Sequence, residues 1–142
     1  MNKIVVFASG SGSNAENIIK HFKNNNLTTV THVFCNNPNA FVINRAKKLD
    51  IPVYVFNSED FKEKNGVHSK LLSINPDLIV LAGFLWKFPK YLVSVFHNKI
   101  INKPEQIHKE YKDHPKKLFY YYFLISLYKI AYLNDLVFLS LY

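Results

Sequence analysis

The segment Lys3–Asn14, with the sequence KIVVFASGSGSN, decides the fold. Its apolar run, Ile4–Ala8, gives way to a turn of serine and glycine at Ser9–Asn14, and apolar residues then recur at helical spacing. This order predicts a strand, a small-residue turn and a helix. Gly10 and Gly12 allow backbone conformations that other residues avoid, and they leave room for a ligand close to the backbone.

The predicted turn has the chemistry of an anion site. Unpaired amide groups meet the positive end of a helix dipole there, which favours a group such as a phosphate. Ser11, Ser13 and Asn14 add side-chain donors. The same residues also suit a turn that only caps the helix. The pattern is neither the dinucleotide-binding GxGxxG motif nor a Walker-type loop, so neither a dinucleotide nor a triphosphate is specifically indicated.

Composition narrows the class of protein. The 142 residues are 49% hydrophobic and 20% charged, which fits one soluble globular domain with a real core. The net charge is +8, but the lysines are scattered and no aromatic stacking pattern lies between them. The charge is therefore compatible with anionic small ligands or polyanions and favours solubility, and we expect no nucleic-acid partner. The single cysteine, Cys35, excludes an internal disulfide, and we expect a buried thiol in a reducing compartment. With no signal peptide in evidence, the predicted location is cytoplasmic.

Further strands and helices alternate along the chain. Strands are predicted at Thr28–Cys35, Ile51–Phe56, Asp77–Ala82 and Lys99–Asn102. Helices are predicted at 40–49 with Asn39 as N-cap, from near Phe61 with Ser58 as a cap and recovering after Gly66 as far as Ile74, and after Pro89 with Leu92, Val93 and Phe96 facing inward. Arg45, Lys47 and Lys48 are expected on the wet face or in the late turns of the first of these helices.

The alternation predicts an α/β fold with a doubly wound, mainly parallel sheet between two helical layers. The run Asp77–Ala82 is apolar almost throughout, as expected for a parallel strand covered on both faces. Ligands of such sheets bind beyond the carboxyl ends of the strands. Gly10–Asn14, Gly83–Phe88 and Asn102 are therefore expected to line one crevice.

With these segments in hand, the sequence resembles the phosphoribosylglycinamide formyltransferase family over about residues 1–102. The resemblance is carried by the turn SGSGSN, by Val33–Asn36 with Asn44–Ala46 downstream, by Ile51–Pro52 and above all by Pro76–Phe84. It implies a Rossmann-like three-layer fold and transfer of a formyl group from 10-formyltetrahydrofolate to glycinamide ribonucleotide in purine (IMP) biosynthesis. No metal is implied, and the sequence shows no cluster of metal ligands.

The resemblance also implies roles for individual residues. Gly12, Ser13 and Asn14 would hold the substrate phosphate. Leu85, Trp86, Lys87 and Phe88 would form the folate pocket with Asn102, although Trp86 stands where many members carry arginine. Trp86 is then either a lid or a packed aromatic, and Lys64 is either a substrate contact or a solvated lysine on a helix. Asn102 would stabilise the oxyanion formed when the amine attacks the formyl carbon.

The chain departs from the family after Asn102. The resemblance implies Asn-Ile-His-Pro, with a catalytic histidine, and an aspartate further on; the chain reads Asn102, Lys103, Pro104 and has no matching aspartate. We therefore expect a formyltransferase that is impaired or inactive. The alternative is a non-catalytic remnant or interaction module that binds a nucleotide phosphate.

Residues 103–142 form an atypical aromatic and apolar tail without glycine. A helix that completes the core, a membrane anchor and a segment without a selected fold are all compatible with it, although Lys129, Asn134 and Asp135 disfavour the anchor. We hypothesise that the reading frame or the gene is disrupted after Asn102, so that the sheet is incomplete at its C-terminus. Sequencing the locus again tests this. The oligomeric state is not indicated.

Overall fold

Strands and helices alternate from the N-terminus, as the sequence predicts. The computed structural model describes residues 1–64 and 66–102, so the interpretations of residues 103–142 lie outside it. The strands are β1 (Asn2–Ala8), β2 (Thr28–Cys35), β3 (Val53–Val55), β4 (Leu78–Leu81) and β5 (Ile100–Asn102). The helices are α1 (Ser13–Phe22), α2 (Val42–Lys48), α3 (Ser58–Lys62), α4 (Gly66–Ile74) and α5 (Lys90–Val95).

The strands form one sheet in the order β3-β2-β1-β4-β5, and every pairing is parallel. The chain therefore reverses its direction of winding at β1, which has β2 on one side and β4 on the other. This confirms the predicted doubly wound parallel sheet. Within the described residues, no helix is long and apolar enough to cross a membrane.

Both faces of β1 are covered. Val5 and Phe7 join a buried cluster with side chains from α3, α4 and α5. Because strand side chains alternate between faces, Ile4 and Val6 point to the opposite face, where α1 and α2 pack. The whole run Ile4–Ala8 is buried as a result. Each of its isoleucine, valine and phenylalanine side chains contributes about 1.5–3 kcal/mol through removal from water.

An aromatic cluster surrounds Phe7. Its ring stacks on Phe34, with centroids 4.8 Å apart, and meets Phe84 and Phe88 edge-on at 5.3 and 5.2 Å. Phe61 also packs against Phe88, at 5.4 Å. Such pairs contribute about 0.5–1.5 kcal/mol each beyond the burial of their area. The segment that follows β4 is thereby anchored to the central strand.

Two predicted helix caps are wrong. Helix α2 has Phe41 as its N-cap, and the amide of Asn39 instead donates to the side chain of Asn37, 3.0 Å away. Helix α3 is capped by Asn57, whose side-chain oxygen accepts from the amides of the second and third helical residues while Asp60 accepts from the Asn57 amide. The reciprocal bonds of this capping box leave Ser58 as the first helical residue.

Other boundaries also differ from the predictions. β3 is confined to Val53–Val55, within the longer predicted strand. Leu92 and Phe96 are buried as predicted, but Val93 is 44% exposed. The six-residue helix α5 is less than two turns long, so only a narrow stripe of it faces the core.

Candidate functional site

The turn after β1 meets helix α1 at Gly12. Gly12 is the N-cap of α1 with φ of 73°, a left-handed conformation that favours glycine, and no side chain caps the helix. The first-turn amide groups of a helix have no intrahelical acceptor. The start of α1 therefore combines amide donors with the positive end of the helix dipole.

The two glycines of the turn have different roles. A Cβ atom on Gly12 would lie 2.3 Å from Cγ2 of Val42, so the missing side chain accommodates α2, and the expectation that it makes room for a ligand is wrong for this residue. Gly10 has open space around the same position and no positive φ. Contact with α2 therefore requires a glycine at position 12 but not at position 10.

Helix α2 donates hydrogen bonds to two backbone carbonyl groups of the turn after β1. The Val42 amide donates to the Gly10 carbonyl at 3.1 Å, and Nε of Arg45 donates to the Ser11 carbonyl at 2.9 Å. Arg45 is half-buried, whereas Lys47 and Lys48 are exposed. All three lie in the last turn of α2, as one of the two predicted placements has it, and Arg45 is less exposed than the lysines because the turn after β1 offers it a carbonyl acceptor.

Arg45 also pairs with Glu16 in the first turn of α1. Glu16 accepts a second cation, Lys20, at 2.7 Å. Hydrogen bonds from Lys20 and then Arg45 lower the pKa of the Glu16 carboxyl below its ordinary value. The guanidinium group further lies over the ring of Phe41, 4.9 Å from its centroid. One arginine thus links the turn, α1 and the start of α2.

The segment after β4 is joined to the same turn through Ser9. The Ser9 amide donates to the Gly83 carbonyl at 3.2 Å, and the Leu85 amide donates to the Ser9 hydroxyl at 3.0 Å. Ser9 is only 6% exposed. The structure therefore brings together the first two of the three segments that were expected to line one crevice.

The four residues predicted to form the folate pocket differ in how far their side chains are exposed. Leu85 is 79% exposed and Trp86 is 36% exposed, and Lys87 is also exposed. The Trp86 ring lies against the edge of the aromatic cluster, 5.9 Å from Phe61. Phe88 is half-buried because it packs into that cluster. Trp86 is therefore packed on one side and open on the other, and both interpretations of it remain.

Asn102 and Lys64 occupy different settings. Asn102 ends β5 in register with Leu81, and Leu81 is in register with Phe7, so Asn102 is exposed at the same edge of the sheet, two strands from β1. Two strand spacings are about 10 Å. Lys64 lies in the turn between α3 and α4, not on a helix, and its carbonyl contacts the ring of His68 at 2.8 Å. Its described contacts do not link it to the other predicted residues.

The end of β2 carries the buried thiol. Cys35 is fully buried and its Sγ lies 3.2 Å from the Asn37 carbonyl. Burial raises the pKa of this thiol. The predicted buried thiol is confirmed. In the described part of the chain, no group of three or more metal-binding side chains comes together.

The sequence does not predict which residues bond the turn after β1 to α2 and to the segment after β4. Ser9, Val42 and Arg45 act through contacts between residues that lie far apart in sequence, and no local pattern encodes those contacts. A usable signal is the order of the elements. In a doubly wound sheet, the start of α2 lies beside the turn after β1, so an arginine one turn into α2 can reach that turn.

Comparisons with known proteins place these features in a family. The profile of the formyl transferase family matches residues 2–109. Phosphoribosylglycinamide formyltransferase of Bacillus subtilis is 34% identical over 107 residues, which are 72% of this chain and 55% of that protein. The Escherichia coli protein of the same name is 33% identical over 104 residues, 70% of this chain and 49% of that protein. The chain therefore spans about half the length of these curated relatives.

Solved structures agree with the sequence comparison. Glycinamide ribonucleotide transformylase 1 from Geobacillus kaustophilus superposes with a TM-score of 0.65 at 30% identity, covering 80% of this chain and 69% of that one. Phosphoribosylglycinamide formyltransferase from Anaplasma phagocytophilum gives a TM-score of 0.67 at 27% identity, covering 81% of this chain and 60% of that one. These matches extend the similarity from sequence to the arrangement of the sheet.

Proposed function

The chain belongs to the formyl transferase family, and from this membership we propose that it is the substrate-binding part of a phosphoribosylglycinamide formyltransferase. The proposed reaction is transfer of a formyl group from 10-formyltetrahydrofolate to glycinamide ribonucleotide in purine (IMP) biosynthesis. The observation that carries the proposal is the bridge at Ser9, which ties the turn after β1 to the segment after β4. Both segments lie at the edge where parallel sheets bind ligands.

We assign the substrate phosphate to Gly12, Ser13 and Asn14. The amide donors and dipole at the start of α1 favour a dianionic group there. The exposed Ser13 side chain can add a hydroxyl donor. The lowered pKa of Glu16 keeps its carboxylate negatively charged. This charge does not repel the phosphate strongly, because Lys20 and Arg45 pair with it.

We assign the folate to Leu85, Trp86, Lys87 and Phe88, with Asn102 beside them. A pterin is flat and partly apolar, and the exposed sides of Leu85 and Trp86 provide an apolar surface that rests on the aromatic cluster. The residues therefore suit the group. When bound, the folate supplies the formyl carbon. No role for a metal is proposed.

We propose that Asn102 donates its side-chain amide to the oxygen on which negative charge develops during transfer. Lys103 and Pro104 follow it where the family resemblance implies isoleucine and histidine. A proline offers no group for proton transfer. We therefore propose turnover at or near background, and this departure also favours the second candidate function, a non-catalytic module that binds the ribonucleotide.

Calorimetry and a formylation assay test the proposal together. We expect glycinamide ribonucleotide to bind more tightly than glycinamide riboside, which lacks the phosphate, by about tenfold or more. The riboside is the matched control because it retains the rest of the molecule. Equal affinities, or no binding of either compound, would contradict the phosphate site. A normal formylation rate would contradict the proposed impairment and leave the binding proposal intact.

The remaining assignments belong to the same proposal. Residues 1–102 would form the N-terminal part of the formyltransferase domain and residues 103–142 an atypical tail, although the family match itself extends to residue 109. The partners would be small molecules, not nucleic acid or a membrane. A cytoplasmic location suits both the buried thiol of Cys35 and these substrates. We leave Lys64 as a possible substrate contact.

A further inference from the structure

We infer that Arg45 is a positioning residue for the phosphate-binding turn, because its side chain fixes the Ser11 carbonyl and so aims the Gly12 amide at the anion. The inference rests on the proposed function, since it assumes that the turn binds a phosphate. Arg45 lies on α2, outside the residues assigned to phosphate contact. It acts through the backbone of the turn and does not itself bind the phosphate.

The geometry of the peptide bond connects the carbonyl to the amide. In a trans peptide the carbonyl and the following N–H point in opposite directions, and the described residues contain no cis peptide bond. α2 holds the carbonyls of Gly10 and Ser11. The N–H groups of Ser11 and Gly12 therefore point away from α2. Successive N–H groups on one side of a turn form a concave anion-binding site.

The surroundings of Arg45 explain why an arginine serves here. Its guanidinium group reaches the Ser11 carbonyl with Nε and the Glu16 carboxylate with Nη1, while its face covers the Phe41 ring. A lysine has one nitrogen and cannot maintain three such contacts in a fixed plane. Glu16 orients the guanidinium group, so the charge of Arg45 is already paired within the protein.

Replacement of Arg45 should therefore affect the phosphate and not the rest of the ligand. We expect Arg45→Met to weaken binding of glycinamide ribonucleotide by about tenfold, the loss typical of one hydrogen bond to a charged group, and to leave binding of glycinamide riboside within twofold. Arg45→Lys should recover only part of the loss. Lys48→Met removes the same charge from an exposed position of α2 and should leave both affinities within twofold.

A double variant separates positioning from charge. If Arg45 acted only by neutralising Glu16, the combination of Arg45→Met and Glu16→Gln would restore ribonucleotide affinity. Positioning predicts that the double variant stays as weak as Arg45→Met, because the Ser11 carbonyl remains unheld. Restoration in the double variant, unchanged affinity in Arg45→Met, or equal loss for ribonucleotide and riboside would each overturn the inference.

Amide NMR with inorganic phosphate distinguishes failure of the inference from failure of the proposed function. If the unmodified chain does not bind the ribonucleotide, the proposed function fails. The inference is then decided by the Gly12 amide resonance. A phosphate-dependent shift in the unmodified chain that is lost in Arg45→Met supports it. The same shift in both proteins, or no shift in either, overturns it.

Discussion

The turn after β1 and the segment after β4 lie side by side but are built on different principles. The first is held by its backbone, through the Gly10 and Ser11 carbonyls and the crowding of Gly12 by Val42. The second is held by the rings of Phe84 and Phe88 and leaves the side chains between them exposed. The turn thus presents a fixed set of backbone donors, and the segment presents apolar side chains on a packed base.

This difference matches the two kinds of ligand that we propose. A phosphate is small and charged, so its recognition depends on the direction of a few N–H groups, which the backbone must fix in advance. A folate ring is broad and partly apolar, so surface area and shape matter more. Changes in the turn should therefore act through the backbone, and changes in the segment should act through side chains.

The largest expected effect comes from the glycines. Gly12→Ala should lower the free energy of unfolding by about 3 kcal/mol, since it adds both left-handed strain and a Cβ atom in conflict with Val42. Gly83 has the same φ of 73° with open space around it, so Gly83→Ala should cost only the strain, about 1 kcal/mol. Urea denaturation measures both values.

Gly10→Ala is the control in this series. With no positive φ and no atom within 4 Å of the added Cβ, it should change the free energy of unfolding by less than about 0.5 kcal/mol. Equal losses for Gly12→Ala and Gly83→Ala would mean that contact with α2 contributes nothing to the difference between the two segments.

The next effect concerns the bridge between the segments. Ser9→Ala removes the acceptor of the Leu85 amide, and it should cost about 1.5 kcal/mol of unfolding free energy because a part-buried hydrogen bond to the buried Ser9 is lost. Thermal unfolding checks this value. Ser11→Ala, at an exposed position of the same turn, is the control and should change it little. Equal losses would show that the bridge is not specific to Ser9.

Trp86 tests whether the segment acts through its side chains. Trp86→Ala should cost about 1 kcal/mol of stability, because the ring is packed against Phe56 and Phe61 on one side only. It should also weaken binding of a folate, measured by calorimetry, and leave ribonucleotide binding unchanged. Leu85→Ala, at a more exposed side chain, should leave stability unchanged. A loss of stability without a loss of folate binding would identify Trp86 as a packed aromatic only.

The smallest expected effect is a loss of stability at acid pH through Glu16, in the first turn of α1. The pKa of Glu16 is lowered by Lys20 and Arg45, so its contribution to stability is present above the unfolded value of about 4.3 and is lost as the pH falls through the lower folded value. Glu16→Gln should flatten the pH dependence of unfolding below about pH 4.3. Glu59→Gln removes a carboxylate that forms no ion pair with another described residue, and it serves as the control. Parallel curves for Glu16→Gln and the unmodified chain would exclude the coupling.

The fold was accessible from the sequence because its signals are local and repeated. The apolar runs at Ile4–Ala8 and Asp77–Ala82 predict buried parallel strands, and the structure places β1 and β4 there, side by side. The special backbone conformation predicted for both glycines of the turn is found at Gly12 but not at Gly10. These features depend on residues within one turn or one strand.

The errors arise where residues compete or where contacts are distant in sequence. Asn57 and Asp60 form a capping box whose spacing is visible in the sequence, but the neighbouring Ser58 is also a favourable cap residue by type, so the two compete. The sequence places Arg45 on the wet face or in the late turns of α2 without a partner, because its acceptor, Ser11, is 34 residues away. Nothing in the sequence near Arg45 indicates that acceptor, and only the order of the elements, which places α2 beside the turn, points to it.

The central place of β1 also has a consequence for biosynthesis. β1 is synthesised well before one of its two neighbours, because β4 begins only at Leu78, and the Lys3 amide is bonded to the Asp77 carboxylate 74 residues later. Until β4 is made, the nascent chain carries an apolar strand with one open edge. Long-range parallel pairing forms slowly, and such edges are prone to aggregate. The middle of the sheet is thus completed only after β2 and β3 have been made.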